Sequence, residues 1–389
     1  MRKRRRIAVV TSSRADYGLL HWLIKAGEDD PAVDLRLVVT GSHLSSAFGR
    51  TARLIRADGH RIAASVSLGR GGGTDLDTAR SLGAGVTRLA ESFSCIRPDL
   101  VVLLGDRFET LAAASAATTL RIPIGHLHGG EASEGVIDEQ IRHAVTKLSY
   151  LHFTAAEPYR RRVLQLGEDP KRVFNVGAPG LEYISRMRPL AQADLERLVG
   201  MDLTGPFLLA TFHPEGGGAT MASLQELLAA LSSLNLPTTF TYANADAEGR
   251  AVNESLERFC RTHPRCRAVP SLGQDGYLSL MRRAQAVVGN SSSGILEAPT
   301  LRIPTVNIGE RQAGRLRAPS VIDTPASRTA ILKALRQALS FAFRQRHCRG
   351  VNPYGGGPVS ARILRILKTF PLPAGGICKP FHDWHGGRH

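Results

Sequence analysis

The stretch LVVLLGDRFETLAAASAATTLRIPIGHLHGG, residues 100–130, decides the fold class. The apolar run LVVLL ends in Gly105, an alanine-rich segment with helical character follows, and a second apolar run, IPIGH, ends in glycines. Strands that are apolar throughout and alternate with helices are typical of parallel sheets covered on both faces. The stretch therefore predicts a β–α–β unit within a parallel sheet.

The same alternation continues along the chain in both directions. Other short apolar runs are IAVVT, LRLVVT, LHFTA and VFNVG in the first half, and FLLAT, TTFTY, RAVP, AVVGN and TVNI in the second. The rhythm stops over residues 178–205. We predict an α/β protein of two Rossmann-like, doubly wound domains, with about six strands each and a ligand crevice between them. The predicted bounds are 1–180 and 181–357, followed by an amphipathic helix at 358–370 and a flexible tail at 371–389.

The composition excludes several classes of protein. The chain has 389 residues, 43% of them hydrophobic, and a formal net charge of +16. This positive charge is spread along the chain and comes with no nucleic-acid-binding motif, which argues against nucleic acid as the ligand. The five cysteines form no CxxC motif, and no apolar run approaches the ~18 residues of a membrane span. We predict a cytoplasmic protein with reduced thiols and no membrane partner.

Polar residues follow the predicted strands of the first half, where parallel sheets bind ligands. Arg14 and Asp16 stand at a predicted helix start, with Asp16 as the N-cap, and free amides beside a guanidinium suit a phosphate there. Asp106 lies just past its strand, next to Arg107, and Glu109 falls in the first turn of the next helix. The alternative is that the two aspartates only cap helices and Arg14 only faces solvent.

The next stretch, HLHGGE at residues 126–131, ends a predicted strand in glycines. Glycines let a ligand approach the backbone, and the spacing places His126, His128 and Glu131 close to one another. Two imidazoles and a carboxylate in such a bend favour acid–base chemistry. Zinc is the rival explanation, but the HExxH spacing and any cysteine partner are missing, so we predict no metal.

The helix that follows, DEQIRHAVTK at residues 138–147, carries two charged pairs at i, i+4 spacing. Asp138 is spaced to meet Arg142, and Glu139 is spaced to meet His143. Two surface ion pairs are the plainest interpretation of this helix alone. That interpretation leaves the histidine-rich bend before the helix unexplained.

The second half has two further stretches of this kind. His213 lies just past the run FLLAT. The serine-rich segment 291–294 opens a predicted helix, and Glu297 follows about one turn later. Hydroxyls and free amides at a helix start suit a diphosphate, and a carboxylate suits ribose hydroxyls. A serine-rich cap is common by itself, but Arg311 and Arg315 downstream favour an anion site.

Together these motifs resemble a known family. SSRADYGLL, GDRFETLAAA, HLHGGEASEGVIDEQIRHAVTKLSYLHF, FHP, NADAEGR, GNSSSGILEAP, PTVNIGERQAGR and NPYGGG are similar, in this order over roughly residues 7–368, to hydrolysing UDP-N-acetylglucosamine 2-epimerases. The resemblance implies a GT-B-like fold whose last helix crosses back to the first domain, a homodimer or homotetramer, and no metal or nicotinamide cofactor. The implied reaction turns UDP-N-acetylglucosamine (UDP-GlcNAc) and water into UDP and N-acetylmannosamine, the first step of sialic acid synthesis. It proceeds by elimination of UDP to a glycal, followed by hydration with inversion at C2.

The resemblance also implies roles for individual residues. The sugar-site carboxylates would be Asp106, Glu131 and Asp138, with His128 and Arg142 beside them. Contacts to the nucleotide or substrate would come from a larger set: Arg14, Asp16, His213, Asn244, Ser291, Ser292, Gly294, Glu297 and Arg315. Histidine at 128, where non-hydrolysing relatives have glutamate, places the chain in the hydrolysing branch. The segment EGGGAT after FHP departs from the Val-Thr turn usual in the family, so the contacts made there are open.

The sequence leaves three alternatives open. The family also contains enzymes that act on UDP-N,N'-diacetylbacillosamine, in legionaminic acid synthesis, and this sugar differs from UDP-GlcNAc only at C4 and C6. A GT-B glycosyltransferase would use an acceptor cleft and no base at C2, which the cluster of three carboxylates disfavours. A non-catalytic module that binds nucleotide sugars or nucleic acid would leave those carboxylates without a purpose.

Overall fold

The computed structural model describes residues 4–45, 51–69, 74–132, 137–215, 218–243, 248–373 and 379–383. The chain forms two compact units, one made of Met1–Glu182 with Gly355–His389 and the other of Tyr183–Tyr354. Each unit is built on one parallel sheet that carries helices on both faces. The predicted class, an α/β protein of two Rossmann-like domains, is confirmed.

In the described part of the first unit, parallel strands form one seven-stranded sheet. The strands are β1 (Arg5–Thr11), β2 (Val33–Thr40), β3 (Ile62–Val66), β4 (Leu100–Leu104), β5 (Ile124–Leu127), β6 (Leu151–Thr154) and β7 (Val173–Asn175). Their order across the sheet is β3-β2-β1-β4-β5-β6-β7. The helices are α1 (Arg14–Asp29), α2 (Ala52–Ala57), α3 (Asp75–Ile96), α4 (Phe108–Thr119), α5 (Asp138–Leu148) and α6 (Glu157–Gln165). Helix α7 (Gly180–Arg186) contains the point at which the chain passes to the second unit.

The second unit repeats this architecture with six parallel strands in its described part. The strands are β8 (Leu208–Thr211), β9 (Thr238–Thr241), β10 (Cys266–Val269), β11 (Ala286–Gly289), β12 (Thr305–Ile308) and β13 (Val321–Thr324). Their order is β10-β9-β8-β11-β12-β13. The helices are α8 (Gln192–Val199), α9 (Thr220–Leu234), α10 (Gly249–Thr262), α11 (Gly273–Arg283), α12 (Ser293–Thr300), α13 (Arg328–Leu339) and α14 (Phe341–His347).

The core of the first unit follows from the stretch at residues 100–130. All five residues of β4 are buried, because the strand is central and covered on both faces. The alanines of α4 are also inside, with Ala112 and Ala116 fully buried. Small side chains let α4 pack closely against α3: a β-carbon at Gly85 would lie 3.0 Å from the β-carbon of Ala112. The alanine-rich composition thus fits a helix held tightly against its neighbour.

The order of strands reverses at one point in each sheet, between β1 and β4 and between β8 and β11. In open parallel sheets, ligands bind beyond the carboxyl ends of the strands beside such a reversal. Asp16, Asp106 and Glu131 follow β1, β4 and β5, and His213 and Ser291 follow β8 and β11. Each sheet therefore carries its candidate residues at the edge where a ligand is expected.

The last helix, α15 (Val359–Thr369), belongs to the first unit, as the resemblance implies. Its apolar side chains, including Ile363 and Leu367, are buried in the core beside α1. Arg5 donates to the carbonyls of Leu367 and Phe370, at 2.8 and 2.7 Å. Carbonyls in the last turn of a helix have no partner within the helix, so this arginine satisfies them.

Part of the segment predicted as a flexible tail is bonded to the first unit. Lys379 donates to the carboxylate of Glu168 at 2.6 Å. Glu168 is 1% exposed and also accepts from Lys147, at 2.8 Å, and from His152, at 2.9 Å. A buried carboxylate is costly unless donors surround it. Lys379 supplies one of those donors, which the irregular composition of the tail does not indicate.

Candidate functional site

Helix α1 begins at Arg14, and its N-cap is Ser13. The Oγ atom of Ser13 accepts from the amide of Asp16 at 3.2 Å, and Asp16 Oδ2 accepts from Ser12 Oγ at 2.5 Å. The prediction that Asp16 is the N-cap is therefore wrong. Asp16 lies in the first turn and reaches back, as the acidic residue of a capping box does. Arg14 is exposed at the positive end of this helix.

Arg142 connects three parts of the first-unit site. Its side chain is 3% exposed and forms ion pairs with Asp106 and, at 2.5 Å, with Glu139. It also donates to the backbone carbonyl of Glu131 at 2.9 Å. The guanidinium thus ties α5 to the ends of β4 and β5. The Glu139–His143 pair predicted from helical spacing is present at 3.2 Å.

Asp138 opens α5 in a half-buried position. Burial raises the pKa of the Asp138 carboxyl and the negative charge of Asp106 raises it further, against the opposing charges of Arg107 and Arg142. A carboxyl with a raised pKa exchanges protons near neutral pH better than an ordinary one. Asp138 is therefore suited to proton transfer, while Asp106 beside it is ion-paired.

His128 and Glu131 are in contact, and His126 is separate from them. The Nδ1 atom of His128 lies 2.5 Å from Glu131 Oε1. His126 is fully buried, and its Nε2 lies 2.8 Å from the carbonyl oxygen of Gly105. Burial lowers the pKa of His126 to about 3, so the ring is neutral. The sequence predicted that His126 takes part in acid–base chemistry together with His128 and Glu131, and this prediction is corrected. His126 lies within β5, whereas the backbone at His128 has φ +66° and leaves the strand direction.

Glu109 has a more enclosed position than its place in the first turn of α4 suggests. It is 3% exposed and pairs with Arg107 at 3.2 Å. Burial raises the pKa of the Glu109 carboxyl, although Arg107 opposes this. A β-carbon at Gly41 would lie 3.1 Å from Glu109 Oε1. The carboxyl therefore lies against the turn after β2, a contact between distant segments that no local motif indicates.

His213 is held in the second unit by Asn290. The amide of His213 donates to Asn290 Oδ1 at 2.7 Å, and Asn290 Nδ2 donates to the carbonyl of His213 at 2.8 Å. Asn290 is fully buried and its own carbonyl accepts from Gln312 at 2.9 Å and from Arg311 at 3.2 Å. The hydrogen bonds of Asn290 thereby join the end of β8 to the end of β11.

The serine-rich start of α12 forms a chain of hydroxyls. Ser291 Oγ lies 3.1 Å from Ser293 Oγ, which lies 2.5 Å from the hydroxyl of Tyr277. Ser292 stands at the N-cap position, and a β-carbon at Gly294 would lie 2.7 Å from Thr305. Tyr277 could not be predicted from the sequence, because a single tyrosine in α11 belongs to no motif. These hydroxyls and the amides of the helix start can bind an anion.

Glu297 lies one turn into α12 and points one carboxylate oxygen into the interior. Its Oε2 atom is buried and makes no hydrogen bond to the residues that the structure describes. Burial raises the pKa of Glu297 to about 7, although the charge of Arg315 opposes this. Buried polar atoms are nearly always hydrogen-bonded, so an oxygen without a partner points to a ligand with hydroxyl donors.

Asn244 lies outside the described residues. Among the residues that are described, no group of three or more His, Cys, Asp or Glu side chains could hold a metal ion. Within the same ranges, no helix is long and apolar enough to cross a membrane.

Two Rossmann-like units, with carboxylates at the edge of one sheet and a serine-rich helix start at the edge of the other, are typical of enzymes that bind nucleotides. The sequence profile of the family described as UDP-N-acetylglucosamine 2-epimerase matches residues 25–368. The chain belongs to the UDP-N-acetylglucosamine 2-epimerase family. The resemblance drawn from the motifs is thus confirmed, and so is the predicted class of enzyme, a hydrolysing 2-epimerase of nucleotide sugars.

Individual relatives cover 82–95% of the chain. A Campylobacter jejuni protein named GDP/UDP-N,N'-diacetylbacillosamine 2-epimerase (hydrolyzing) is 38% identical over 82% of this chain and 84% of its own length. The UDP-N,N'-diacetylbacillosamine 2-epimerase (hydrolyzing) of Legionella pneumophila is 35% identical over 95% of this chain and 97% of its own. A crystal structure of UDP-GlcNAc 2-epimerase from Neisseria meningitidis bound to UDP-GlcNAc shares the fold, with a TM-score of 0.75 and 16% identity over 93% and 99% of the two chains.

Proposed function

We propose that this enzyme converts a UDP-linked 2-acetamido sugar and water into UDP and the free sugar inverted at C2. In the first step a base takes the proton from C2, and the C1–oxygen bond breaks with its electron pair leaving on UDP, which forms a glycal. In the second step water adds its hydroxyl to C1, and a proton returns to C2 on the opposite face. The observation that carries this proposal is the group formed by Asp106, Glu131, Asp138 and the buried Arg142.

The carboxylates differ in their surroundings, and this supports different roles for them. Asp138, whose pKa is raised by burial and by the charge of Asp106, is our candidate for the proton transfer at C2. Inversion requires a second proton donor on the other face of the sugar, and Glu131 with its partner His128 is the candidate. Asp106 is ion-paired with Arg142, and its negative charge adds to the effect of burial on the pKa of Asp138.

The nucleotide contacts follow from the second unit and from α1. The amides and hydroxyls around Ser291, Ser292 and Gly294 suit the diphosphate, and the partnerless oxygen of Glu297 suits the ribose. Cations that stabilise the departing UDP would come from the set Arg14, His213 and Arg315. Asp16 holds Ser12 at the turn before α1. We propose no cofactor or metal for this reaction, a cytoplasmic location and a homodimer or homotetramer.

Two sugars are candidates for the substrate. UDP-GlcNAc is the substrate that the motifs predict, and the family carries its name. UDP-N,N'-diacetylbacillosamine is the second candidate, and the two relatives at 38% and 35% identity, both named for this sugar, favour it. The sugars are alike at C1 and C2, where the proposed chemistry takes place, so the same carboxylates serve either substrate.

Proton NMR of each UDP-sugar with the purified enzyme in D2O tests the proposal. We expect release of UDP together with a manno-configured sugar that carries deuterium at C2, and the sugar with the higher kcat/KM is the substrate. The variant Asp138→Asn should lower kcat by about 10²- to 10⁴-fold, the usual contribution of a general acid or base. Asp34→Asn is the matched control. Asp34 lies on β2, where it forms an ion pair with Arg6 at 2.7 Å, and it is not one of the carboxylates of the proposed site. UDP release without deuterium at C2 would instead indicate simple hydrolysis.

A further inference from the structure

A buried pair, His126 and Thr146, joins the segments that carry the first-unit site. His126 Nε2 lies 2.8 Å from the carbonyl oxygen of Gly105, and Thr146 Oγ1 lies 3.3 Å from His126 Nδ1. Both side chains are fully buried. A carbonyl oxygen can only accept, so Nε2 carries the hydrogen, and Nδ1 accepts from the threonine hydroxyl. The pair has one arrangement of donors and acceptors, which fixes the ring.

Each contact of this pair lies next to a residue of the proposed chemistry. Gly105 directly precedes Asp106 and has φ +79°, a conformation that favours glycine. Thr146 lies one turn after Arg142 on α5, the helix that Asp138 opens. The contacts therefore join the turn that aims Asp106 to the helix that carries its ion-pair partner.

The bend that carries His128 and Glu131 packs on the same pair. A β-carbon at Gly129 would lie 3.1 Å from Thr146 Oγ1 and 3.2 Å from His126 Nδ1. The bend thus packs close to the two polar atoms and leaves little room for a side chain at residue 129. Three segments that carry the candidate acid–base residues share one buried contact, and displacement of the pair would shift all three.

We propose that His126 and Thr146 are positioning residues that fix Asp106, Arg142 and the His128–Glu131 bend relative to one another. The proposal rests on the proposed 2-epimerase function. Neither side chain touches solvent, so both act through the groups that they hold. Misplacement of catalytic groups by about 1 Å costs about 10²-fold in rate. The effect should fall on kcat and leave KM nearly unchanged, because the nucleotide contacts lie elsewhere.

Paired variants separate positioning from general loss of stability. His126→Asn keeps an amide near Thr146 but does not reach Gly105, and we expect a fall in kcat of about 10- to 100-fold with KM within about 3-fold. His126→Gln places its amide nitrogen near the former Nε2 and should restore kcat to within about 5-fold of the wild-type value. Thr146→Val should lower kcat in the same way, and Thr146→Ser should restore it.

His152→Asn is the matched control. His152 is the register partner of His126 on the neighbouring strand and is equally buried, but it bonds to Glu168. This variant should lower Tm and leave kcat unchanged. Equal losses of kcat in His126→Asn and His152→Asn, or no rescue by His126→Gln, would overturn the proposal.

The proposed function can fail independently of this inference. If the wild-type enzyme turns over neither sugar, crystal structures of His126→Asn and His152→Asn decide instead. Displacement of the Asp106–Arg142 ion pair in His126→Asn alone would support the positioning role. An undisturbed ion pair in both variants would overturn it.

Discussion

At the scale of the residue, the ionisation of Glu297 should govern binding of the nucleotide. Ribose hydroxyls donate to a carboxylate, so the ionised form of Glu297 binds better. Burial raises its pKa to about 7, and ionisation is incomplete below that pH. The affinity for UDP-glucose, whose diphosphate does not titrate in this range, should therefore rise roughly tenfold between pH 6 and pH 8, as measured by calorimetry.

Glu297→Gln is the control for this pH dependence. Glutamine keeps the shape of the side chain and cannot ionise, so the variant should bind more weakly and show no rise with pH. A protonated His213 on the diphosphate would give the opposite trend, with affinity falling as the pH rises. An unchanged rise in the variant would assign the pH dependence to another group.

Residue types show which side chains gather at a site but not which atoms bond there. Asp106, His128, Glu131 and Ser291 follow strand ends, and their positions could be predicted because parallel strands end at one edge. The bonds of His126 could not, because they depend on the turn at Gly105, which has a positive φ and lies 21 residues earlier, and on a helix 20 residues later. Long-range contacts of this kind leave no periodic pattern in the sequence.

At the scale of the element, continuous apolar runs predicted the central strands and missed two strands at the edges. β3 and β13 are the outermost strands of their sheets. Their sequences, IAASV and VIDT, are only partly buried. A strand with one neighbour and one solvated face does not need apolar residues throughout. The pattern used for prediction was therefore absent in both strands for a physical reason.

The link between β8 and β11 gives a prediction at this scale. Asn290→Ala removes both bonds to the backbone of His213, and it should lower the free energy of unfolding by about 1–3 kcal/mol. It should also weaken UDP binding, because His213 is no longer fixed. Urea unfolding and calorimetry measure the two effects.

Asn307→Ala is the control for this prediction. Asn307 is equally buried on β12 but bonds to Asp323, at 2.7 Å, so the variant should lower only the free energy of unfolding. Equal losses of UDP affinity would contradict the role given to Asn290.

At the scale of the whole molecule, the alternation of strands and helices predicted two sheets because each half repeats the same pattern. The attachment of Lys379 could not be predicted, since it depends on a buried carboxylate about two hundred residues earlier.

Burial raises the pKa of Glu168, but hydrogen bonds from His152, Lys147 and Lys379 outweigh burial and lower the pKa to about 2. Because the folded-state pKa lies below the ordinary value of 4.5, Glu168 stabilises the first unit fully above pH 4.5. This contribution is lost as the pH falls from 4.5 towards 2.

Lys379→Met tests whether the tail contributes to that stability. The variant leaves Glu168 with one donor fewer, so the Tm of the first unit should fall at pH 7. A hydrogen bond to a charged group contributes about 1.5–3 kcal/mol to the free energy of unfolding. The loss of stability should shrink as the pH falls from 4.5 towards 2, because the protonated carboxyl of Glu168 no longer needs the lysine.

Lys368→Met is the control, since Lys368 pairs with Asp30 on a more exposed surface, where ion pairs contribute little. Equal effects of the two variants at pH 7 would mean that the tail contact adds nothing specific. A larger loss in Lys379→Met that fades in acid would make the segment after α15 a structural part of the first unit, because a loose segment cannot change the titration of a buried carboxylate.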